Sequence, residues 1–492
     1  MSFSERLVGG LAYPAYEWLR GRPTLRCYRE MLALSRRPAE AVAQVARQRL
    51  RALLCYAADT LPYYRELFAR HGVDPRAADP YAELARLPIL TKKDVRENTA
   101  AMVCRDVPGG PIPCGSGGTS GDTLHFFIDR ARQAQALGCR LFMQSLFGVR
   151  PGDRRAYLWG SPIETRGTRL RQFRDRLLNE VLLDAYDMSP ASMDAQLEAL
   201  RAFRPRLLYA YPSAAALLAR HAGARFGPRD FPWLRLAVLT GEEITPEQRA
   251  RVRATFGCRV VAEYGSREVG LIAHECPHGS LHIMSPHLHV EVLEIRAAPC
   301  PRAEQETGNR SDRQTSGATQ LRPYPATDTG MTGRVGEVLC TTLTTRAQPF
   351  IRYRLGDLGA LEPQPCPCGL PFPRMRLEGG RTSGFVALPD GRLCYGSISS
   401  CVLREERGIV EFKTYQHALD RFEVLLVVDT AFDPRAIERI QRRYRTLFGP
   451  HVRVSCRIVD SIPPDPSGKR RHVVSAVAPD LARFETAAGS RQ

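Results

Sequence analysis

The chain has 492 residues, of which 43% are hydrophobic and 25% are charged, and its formal net charge is +18. This length allows about three folding units with large buried cores, and the composition is ordinary for a globular protein. No stretch approaches the roughly 18 uncharged apolar residues of a membrane span, and residues 1–20 lack the cleavage pattern of a secretory signal. We therefore expect a cytoplasmic protein with no transmembrane segment.

The net charge and the cysteine content indicate which binding partners and which cellular compartment to expect. Nucleic-acid-binding proteins are often this basic, but here the basic residues are dispersed without long runs, so we expect no specific nucleic acid as a partner. Only four of the 70 basic residues are lysines, and a lysine retained among so many arginines is a candidate for a role that a planar guanidinium cannot take. The 14 cysteines are mostly dispersed, which predicts reduced thiols.

The first 100 residues are predicted to be mostly helical. Leucine, valine and alanine recur at helical spacing in 39–56 and 63–71. The segment Leu90–Asp94 is typical of a strand end that meets a helix cap.

Helices and strands then alternate along the middle of the chain. Thr245-Pro-Glu-Gln248 is a capping box with proline at the first helical position, and its helix should end before Gly257. Further helices are predicted at 192–203 and from 213, and strands at 206–210, 234–239 and 258–263. This alternation predicts an α/β fold with a largely parallel sheet.

The last third of the chain contains an insertion and a change of pattern. Residues 290–295 and 336–343 are predicted strands, and 299–330 between them is predicted to be a disordered insertion, because it contains too few large apolar residues to fold. After residue 380 the pattern restarts as a compact α+β unit, with strands at 422–429 and 452–458 and a helix at 434–448. We predict a large N-terminal domain of several subdomains with mixed or parallel sheets (1–380) and a small mobile α+β C-terminal domain (381–492).

A glycine-rich loop, Ser116–Thr123, is the first segment that suggests chemistry. Its glycines allow close backbone approach, and its hydroxyl and amide groups can surround a phosphate. The loop is neither a Walker loop nor a Rossmann fingerprint, since no Gly-Lys-Ser/Thr follows and an apparent strand at 124–129 comes next. A flexible hairpin turn is the structural alternative.

Three further loops follow predicted strands, at Tyr209–Ser213, Thr240–Glu243 and Tyr264–Glu268. Ligands of open α/β sheets bind beyond the carboxyl ends of the strands. Each loop alone is also a common turn, helix entry or strand terminator, but their order and context favour one shared site.

Taken together, these segments resemble the motifs of the adenylate-forming superfamily, which includes acyl-coenzyme A synthetases, peptide-synthetase adenylation domains and luciferases. The resemblance is to the phenylacetate–coenzyme A ligase-like branch, with its relatives in capsule biosynthesis, and covers about residues 25–475. Five motifs carry it: the phosphate loop Ser116–Thr123, the tyrosine-glycine motif Tyr264–Glu268, the ribose motif Ile351–Leu358, the hinge start Gly380–Arg381 and the lysine motif Ser467–Arg470.

The resemblance implies an ATP site. Tyr264 is expected to stack on adenine, Asp357 to accept hydrogen bonds from the ribose hydroxyls, and Arg381 to contact ribose or phosphate. The other nucleotide-binding residues are then Ser116, Gly117, Gly118, Thr119, Ser120 and Gly121 in the phosphate loop, with Gly241, Glu242, Gly265 and Ser266 beside it.

The same resemblance implies the catalytic residues. Thr119 and Glu268 are expected to bind Mg²⁺, a hard cation suited to oxygen ligands. Lys469 is expected to stabilise the charge on the carboxylate and the α-phosphate during adenylation.

Two motifs depart from the family pattern. Asp122 and Thr123 stand where the family usually has lysine and proline after the phosphate loop. The hinge continues as Thr382-Ser-Gly384 instead of with aspartates, so the swing of the small domain is less supported than adenylation.

A second constellation combines cysteine and histidine. Cys366-Pro-Cys368-Gly369 places two thiols on one turn, and Cys276 with His282 could complete a tetrahedral zinc site, with His278 and His274 as alternate fourth ligands. Some members of the resembling branch carry such a site. Its predicted role is structural: it would tie the Glu268 loop to the ribose strand.

The sequence therefore predicts an AMP-forming acid–thiol ligase that uses ATP, Mg²⁺, a structural Zn²⁺ and coenzyme A. The substrate is predicted to be an aromatic or medium-sized carboxylic acid in a pocket lined by Tyr209, Tyr211 and Ala237. Two alternatives stay open: delivery of the acyl group to a carrier-protein thiol or a glycan precursor, or a degenerate, non-catalytic relative that binds nucleic acid. A homodimer is the open alternative to a monomer.

Overall fold

The structure, a computed structural model, describes residues 3–115, 124–159, 169–185, 187–223, 225–294, 335–381, 385–389, 393–395, 402–403, 406–463 and 473–477. The described residues form two compact units. The first unit lies within 1–294, 335–382 and 461–472, and the second within 383–460 and 473–492. The predicted insertion 299–330 lies outside the described residues, and the predicted division into domains at residue 380 stays a prediction.

The first unit opens with helices, as predicted. Thr91 and Asp94 form a capping box at the start of the seventh helix, and Leu90 makes an isolated β-bridge with Tyr353. In the described parts of the chain, none of the helices has both the length and the apolar sequence needed to cross a bilayer. The helices are α1 (Phe3–Leu7), a π-helical turn (Val8–Ala12), α2 (Tyr13–Leu19), α3 (Thr24–Leu34), α4 (Ala39–Thr60), α5 (Pro62–Arg70), α6 (Pro80–Arg86) and α7 (Lys92–Met102).

A small antiparallel hairpin follows, formed by β1 (Ile112–Gly115) and β2 (His125–Ile128). The phosphate loop predicted at 116–123 connects these strands and lies outside the described residues. The next helix, α8 (Arg130–Ser145), begins at Asp129, whose carboxylate caps it by accepting from the Arg132 amide at 2.7 Å.

An eleven-stranded mixed sheet, in the order β10-β11-β12-β13-β9-β8-β7-β6-β5-β3-β4, forms the body of the first unit. Pairing is parallel from β4 to β7 and antiparallel from β7 to β10. The prediction of a largely parallel sheet, made from the alternation of helices and strands, is therefore correct for one half of the sheet only. The strands are β3 (Arg155–Trp159), β4 (Glu180–Asp184), β5 (Leu207–Ala210), β6 (Leu236–Thr240), β7 (Arg259–Ser266), β8 (Gly270–Glu275), β9 (Leu281–Ile283), β10 (Leu288–Glu294), β11 (Gly336–Thr342), β12 (Tyr353–Glu362) and β13 (Arg374–Arg381).

Helices cover the parallel half. One face packs with α10 (Pro190–Phe203), α11 (Pro212–Ala222) and α12 (Pro246–Phe256), and α9 (Arg169–Leu177) precedes the edge strand β4. The predicted capping box at Thr245 starts α12, and Gly257 ends it in a left-handed conformation with φ of 65°. Glycine adopts this conformation without steric cost, which makes it a common helix terminator.

The second unit is a smaller α+β structure, as the pattern after residue 380 predicted. A four-stranded sheet in the order β18-β17-β16-β19 packs against α13 (Ala436–Phe448) through Phe422, Tyr444 and Phe448. Its strands are β16 (Ile409–Ala418), β17 (Arg421–Val428), β18 (Arg453–Ile458) and β19 (Val473–Ser475), and a separate hairpin joins β14 (Phe385–Ala387) to β15 (Leu393–Tyr395).

Candidate active site

The tyrosine-glycine motif forms a tight turn where the sheet changes from parallel to antiparallel pairing. Residues 267–269 connect β7 to β8, with Ser266 opposite Gly270. A Cβ on Gly265 would lie 2.4 Å from the carbonyl oxygen of Gly270, so only glycine allows the two strands to approach this closely. The missing side chain thus fixes the turn that carries Glu268.

Two tyrosines link the motifs that are far apart in sequence. The Tyr264 hydroxyl donates to Asp357 Oδ2 at 2.9 Å, across 93 residues of chain. The Tyr353 hydroxyl lies 3.4 Å from Glu268 Oε1, and Glu268 is only 7% exposed. The strand register places residue 381 opposite Asp357, so the predicted adenine, ribose and hinge positions share one edge of the sheet.

Two arginines hold the turn, and one of them contacts the residue that precedes the phosphate loop. Arg267 donates from Nη1 to the carbonyl oxygen of Gly115 at 2.8 Å, and Gly115 is the last described residue before the loop. Arg132 donates to the carbonyl oxygens of Ser266 and Arg267. Burial lowers the pKa of Arg132 to about 10, although Cys114 and Glu268 favour its charged form. These contacts fix the position of Glu268 relative to the start of the loop.

The loops after β5 and β6 meet in an aromatic stack. Trp159 and Tyr211 stack with ring centroids 3.9 Å apart, and a Cβ on Gly241 would lie 3.1 Å from the Tyr211 ring. The Glu242 carboxylate accepts from the Ser213 amide and hydroxyl, both at 3.0 Å. Glu242 therefore stabilises the start of α11, and its predicted contact with the nucleotide stays a prediction.

A buried ion pair lies beneath this site. Arg140 of α8 donates two hydrogen bonds to Glu263 of β7, at 2.6 and 2.8 Å, and the Tyr209 hydroxyl donates to the same carboxylate at 2.6 Å. Burial alone would raise the pKa of Glu263, but attraction to Arg140 lowers it below its ordinary value. The carboxylate is thus charged, and its negative charge is compensated within the core.

The interpretation of Ala237 as a pocket residue is wrong. Ala237 is fully buried in the core that packs under α10–α12, while Tyr209 belongs to the core on the opposite face. In the register of β5 and β6, Ala237 pairs with Leu208, and Val238 pairs with Tyr209. Successive strand residues point to opposite faces, so Ala237 and Tyr209 cannot line one pocket.

Cysteine and histidine side chains form a compact cluster elsewhere in the first unit. The ligand atoms of Cys276, His282, Cys366 and Cys368 all lie within 4.8 Å of one another. Cys276 Sγ is 3.7 Å from Cys366 Sγ, and Cys368 Sγ is 3.2 Å from His282 Nε2. In a tetrahedral zinc site, metal–ligand distances of about 2.0–2.3 Å place neighbouring ligand atoms roughly 3.5–3.8 Å apart, so the cluster fits zinc.

The backbone around the cluster also fits a metal site. The Gly279 and Gly369 amides donate to the carbonyl oxygens of Cys276 and Cys366, at 2.9 and 3.0 Å, which forms two matching turns. His282 Nδ1 lies 2.9 Å from the carbonyl oxygen of Phe372, a contact that orients the imidazole and leaves Nε2 for a metal. Neither His274 nor His278 belongs to the cluster.

The predicted link between this cluster and the Glu268 loop is wrong. Cys276 follows the end of β8, and the Glu268 turn precedes its start. Six strand residues separate the two, roughly 20 Å at the rise of an extended strand. The cluster instead joins the far ends of β8–β9 and β12–β13, where His282 pairs with Arg374.

Several predicted site residues cannot be placed. Ser116–Gly121 and Lys469 lie outside the described residues, as does the side chain of Arg381. Conversely, the structure adds Arg132, Arg140 and Arg267, which sequence reasoning did not select. Arg267 lies inside the tyrosine-glycine motif, which was a usable signal, but Arg132 and Arg140 look like any other arginine in this arginine-rich chain.

We predict that Gly265→Ala disrupts the site. The new methyl group meets a backbone carbonyl that cannot move without breaking the β7–β8 register, and such overpacking costs about 1–3 kcal/mol. Thermal unfolding should show a lower melting temperature, and calorimetric titration should show weakened ATP binding. Gly227→Ala is the matched control, since a Cβ there meets nothing within 4 Å. Unchanged ATP affinity in Gly265→Ala would contradict the proposed constraint.

Comparison with known proteins gives two family matches and several relatives. Residues 181–308 match the AMP-binding enzyme family, and residues 389–476 match the CapK C-terminal domain. Protein CapK of Staphylococcus aureus is 21% identical over 94% of both chains. A phenylacetate–coenzyme A ligase of Thermus thermophilus is 27% identical over 71% of this chain and 73% of its own length.

A solved structure supports the same fold. The 2-hydroxyisobutyryl-CoA ligase, in its postadenylation state with an acyl-AMP, superposes with a TM-score of 0.65 at 21% identity, over 92% of both chains. The AMP-binding match, these relatives and the shared α/β architecture agree with the motifs. Together these findings support the adenylate-forming superfamily, and its phenylacetate–coenzyme A ligase-like branch, for this chain.

Proposed function

We propose that the protein activates a carboxylic acid with ATP to form an acyl-adenylate and then transfers the acyl group to a thiol. The observation that carries this proposal is the Tyr264–Asp357 hydrogen bond beside the buried Glu268. It brings the tyrosine-glycine and ribose motifs to one edge of the sheet, beyond strands whose carboxyl ends are the usual ligand site of such folds.

Each residue has a role that suits adenylation. The Tyr264 ring offers a face for adenine, and its hydroxyl orients Asp357 so that the carboxylate can accept from the ribose hydroxyls. The carboxylate of the substrate attacks the α-phosphate, the bond to the β-phosphate breaks, and pyrophosphate leaves. Such a step depends on positioning and on neutralising charge, for which Lys469 and the loop Ser116–Gly121 are the proposed groups.

Glu268 and Thr119 are the proposed Mg²⁺ ligands. Glu268 fits this role because it offers a buried carboxylate, whose contact with the Tyr353 hydroxyl is a long one at 3.4 Å, and oxygen anions are what Mg²⁺ prefers. Bound there, the cation would neutralise phosphate charge. When no cation is bound, Arg132 compensates the negative charge of the buried Glu268 carboxylate.

Coenzyme A is the proposed acceptor, because phenylacetate–coenzyme A ligases are among the relatives. The four ligases cover 64–71% of this chain, whereas CapK covers 94% and shares its C-terminal domain. This difference favours a second candidate, in which the same acyl-adenylate serves a carrier-protein thiol or a glycan precursor. Cytoplasmic location and a homodimer stay predictions.

The aromatic residues at the site support an aromatic or medium-sized acid. Trp159 stacks on Tyr211 and also packs against Tyr209 at 5.5 Å between ring centroids. Flat aromatic walls bind aromatic or compact apolar groups by offset stacking. The Arg140–Glu263 pair fills the space below Tyr209, which limits how far an acyl chain can extend there.

An exchange experiment tests the proposal. Purified protein is incubated with ATP, labelled pyrophosphate and a panel of aromatic, short and branched carboxylic acids. Acid-dependent exchange of label into ATP is expected for at least one aromatic or medium-sized acid. Coenzyme A or pantetheine is then added, and thioester and AMP are measured. If no acid supports exchange, the proposed function is wrong; exchange without thioester selects the second candidate.

We predict that Lys469→Ala separates the two half-reactions. The cation acts where an anionic carboxylate approaches a polyanionic nucleotide, so its loss should slow exchange by about 10²–10³-fold. Thioester formation from a synthetic acyl-adenylate should be largely retained, because the mixed anhydride is already activated. Lys469→Arg should rescue exchange poorly, since a planar fork does not replace a compact ammonium.

The matched control for Lys469→Ala is Lys93→Ala. The Lys93 side chain is 77% exposed and lies 3.9 Å from Glu97 on the same helix, so its loss should change neither half-reaction. Equal damage to both half-reactions by Lys469→Ala would make this lysine structural. No damage to either would show that the chain does not use this mechanism.

We also propose that the cluster of Cys276, His282, Cys366 and Cys368 holds one structural zinc ion. The donor set of three thiols and an imidazole is characteristic of closed structural zinc sites. Four protein ligands fill a tetrahedral site, so no coordination position is left for water.

Removal of the ligands tests the zinc proposal. The double variant Cys366→Ser with Cys368→Ser should lose the single zinc equivalent seen by elemental analysis and should melt at a lower temperature. Cys55→Ser is the control, because Cys55 lies outside the cluster and its thiol donates to the carbonyl oxygen of Pro75. Native protein that is metal-free yet fully stable would contradict the proposal.

A further inference from the structure

Exposed apolar side chains are concentrated on two segments of the first unit. One is the helical run of α1, the π-helical turn and α2, and the other is α9. Their side chains are between 47% and 78% exposed, and Trp18 is the most exposed of them. We call this set the apolar patch: Leu7, Leu11, Trp18, Leu19, Phe173 and Leu177.

The two segments of the apolar patch pack on the same turn. A Cβ on Gly152 would lie 2.3 Å from the amide nitrogen of Gly9, so the helical run touches this turn through its glycine. Asn179, two residues after the end of α9, donates from its side chain to the carbonyl oxygen of Gly152 at 2.8 Å. Although burial opposes the charge of Arg174 on α9, Asp175 and Tyr16 raise its pKa. The two segments that carry the apolar patch are therefore held by one turn.

In the helical run the acidic side chains are buried, whereas the exposed charged side chains are arginines. Glu5 and Glu17 are the only acids among the first 29 residues, and both are buried. Glu5 pairs with Arg206 at 2.9 Å, and Glu17 accepts from Arg22 Nε at 3.1 Å. The charged residues exposed on this part of the chain are arginines, including Arg6, Arg20 and Arg26.

We propose that the apolar patch docks the protein on an anionic lipid surface. Exposed leucine, tryptophan and phenylalanine, with exposed arginine nearby in sequence, are typical of helices that lie in the plane of a membrane interface. The lipid interior accepts the apolar side chains, the interfacial region suits the Trp18 indole, and acidic headgroups complement the arginines. The proposal concerns location and does not depend on the reaction proposed above.

A second copy of the chain is a weaker fit to the apolar patch. In a two-fold interface the same surface meets itself, so Arg6 and Arg20 of each copy would approach the same arginines of the other. Like charges brought together at an interface oppose binding. An acidic lipid surface offers apolar contact and negative charge together.

Vesicle binding by the full chain tests the proposal. The protein is sedimented with vesicles of phosphatidylcholine alone or of phosphatidylcholine mixed with phosphatidylglycerol. We expect binding to the mixed vesicles to be about tenfold or more tighter, and to weaken as salt is raised. The Trp18 emission should shift to the blue on binding, and Trp18→Phe should lose this shift, since the other two tryptophans are Trp159 and Trp233.

Two pairs of variants separate the apolar and charged contributions. Trp18→Ser with Leu19→Ser should reduce binding to the mixed vesicles about tenfold or more, while Val410→Ser with Leu419→Ser, exposed apolar residues of the second unit, should not. Arg6→Gln with Arg20→Gln should weaken binding only to the mixed vesicles. Its control is Arg251→Gln with Arg253→Gln, a pair of exposed arginines on α12. Melting temperatures should be unchanged in all four.

Three outcomes would overturn the proposal. The first is failure of the unaltered protein to sediment with the mixed vesicles. The second is equal binding by the Trp18→Ser, Leu19→Ser variant. The third is a dimer, seen by ultracentrifugation without lipid, that the same substitutions convert to a monomer while vesicle binding is absent; it would assign the apolar patch to a second copy.

Discussion

The change of pairing at β7 is the constraint on which the site depends. On one side β7 pairs in parallel with β6, and the loops that follow the parallel strands lie at one edge of the sheet. On the other side β7 pairs antiparallel with β8. Gly265 makes the change possible, because it lets β7 and β8 approach to a distance that excludes any Cβ. Tyr264 and Glu268 therefore stand on a rigid turn, between the parallel loops on one side and the ribose strand β12 on the other.

One helix, α8, connects this turn to the interior. Arg132 near its start holds the carbonyl oxygens of the turn, and Arg140 two turns later neutralises Glu263 directly before Tyr264. Asp129 caps the helix and also accepts from the Arg346 and Ala347 amides at 2.6 and 2.9 Å. Removing either charge of the Arg140–Glu263 pair would leave the other uncompensated in the core, a loss of about 3–5 kcal/mol. The geometry at Tyr264 thus also depends on an ion pair at the preceding residue of the strand.

Local signals account for what the sequence predicted well. The capping box at Thr245 and the glycine at 257 each specify a helix end through backbone groups within four residues, and periodicity places the helices of the first 100 residues. Pairings between distant strands have no such signal. Strand β9 has only three residues and joins β8 to β13, where His282 pairs with Arg374, 92 residues further along the chain. The antiparallel half of the sheet could not be predicted for that reason.

The wrong predictions at the site concern residues whose position depends on strand register. Ala237 and Tyr209 were both predicted to line the acid pocket, but a shift of one residue in a strand reverses the face. Likewise, Cys276 follows Glu268 by only eight positions, and the strand between them carries it to the opposite end of the sheet. A metal at that end can act on the nucleotide edge only by stiffening β8 and β12. Its removal should therefore lower stability more than it lowers the rate of adenylation in protein that is still folded.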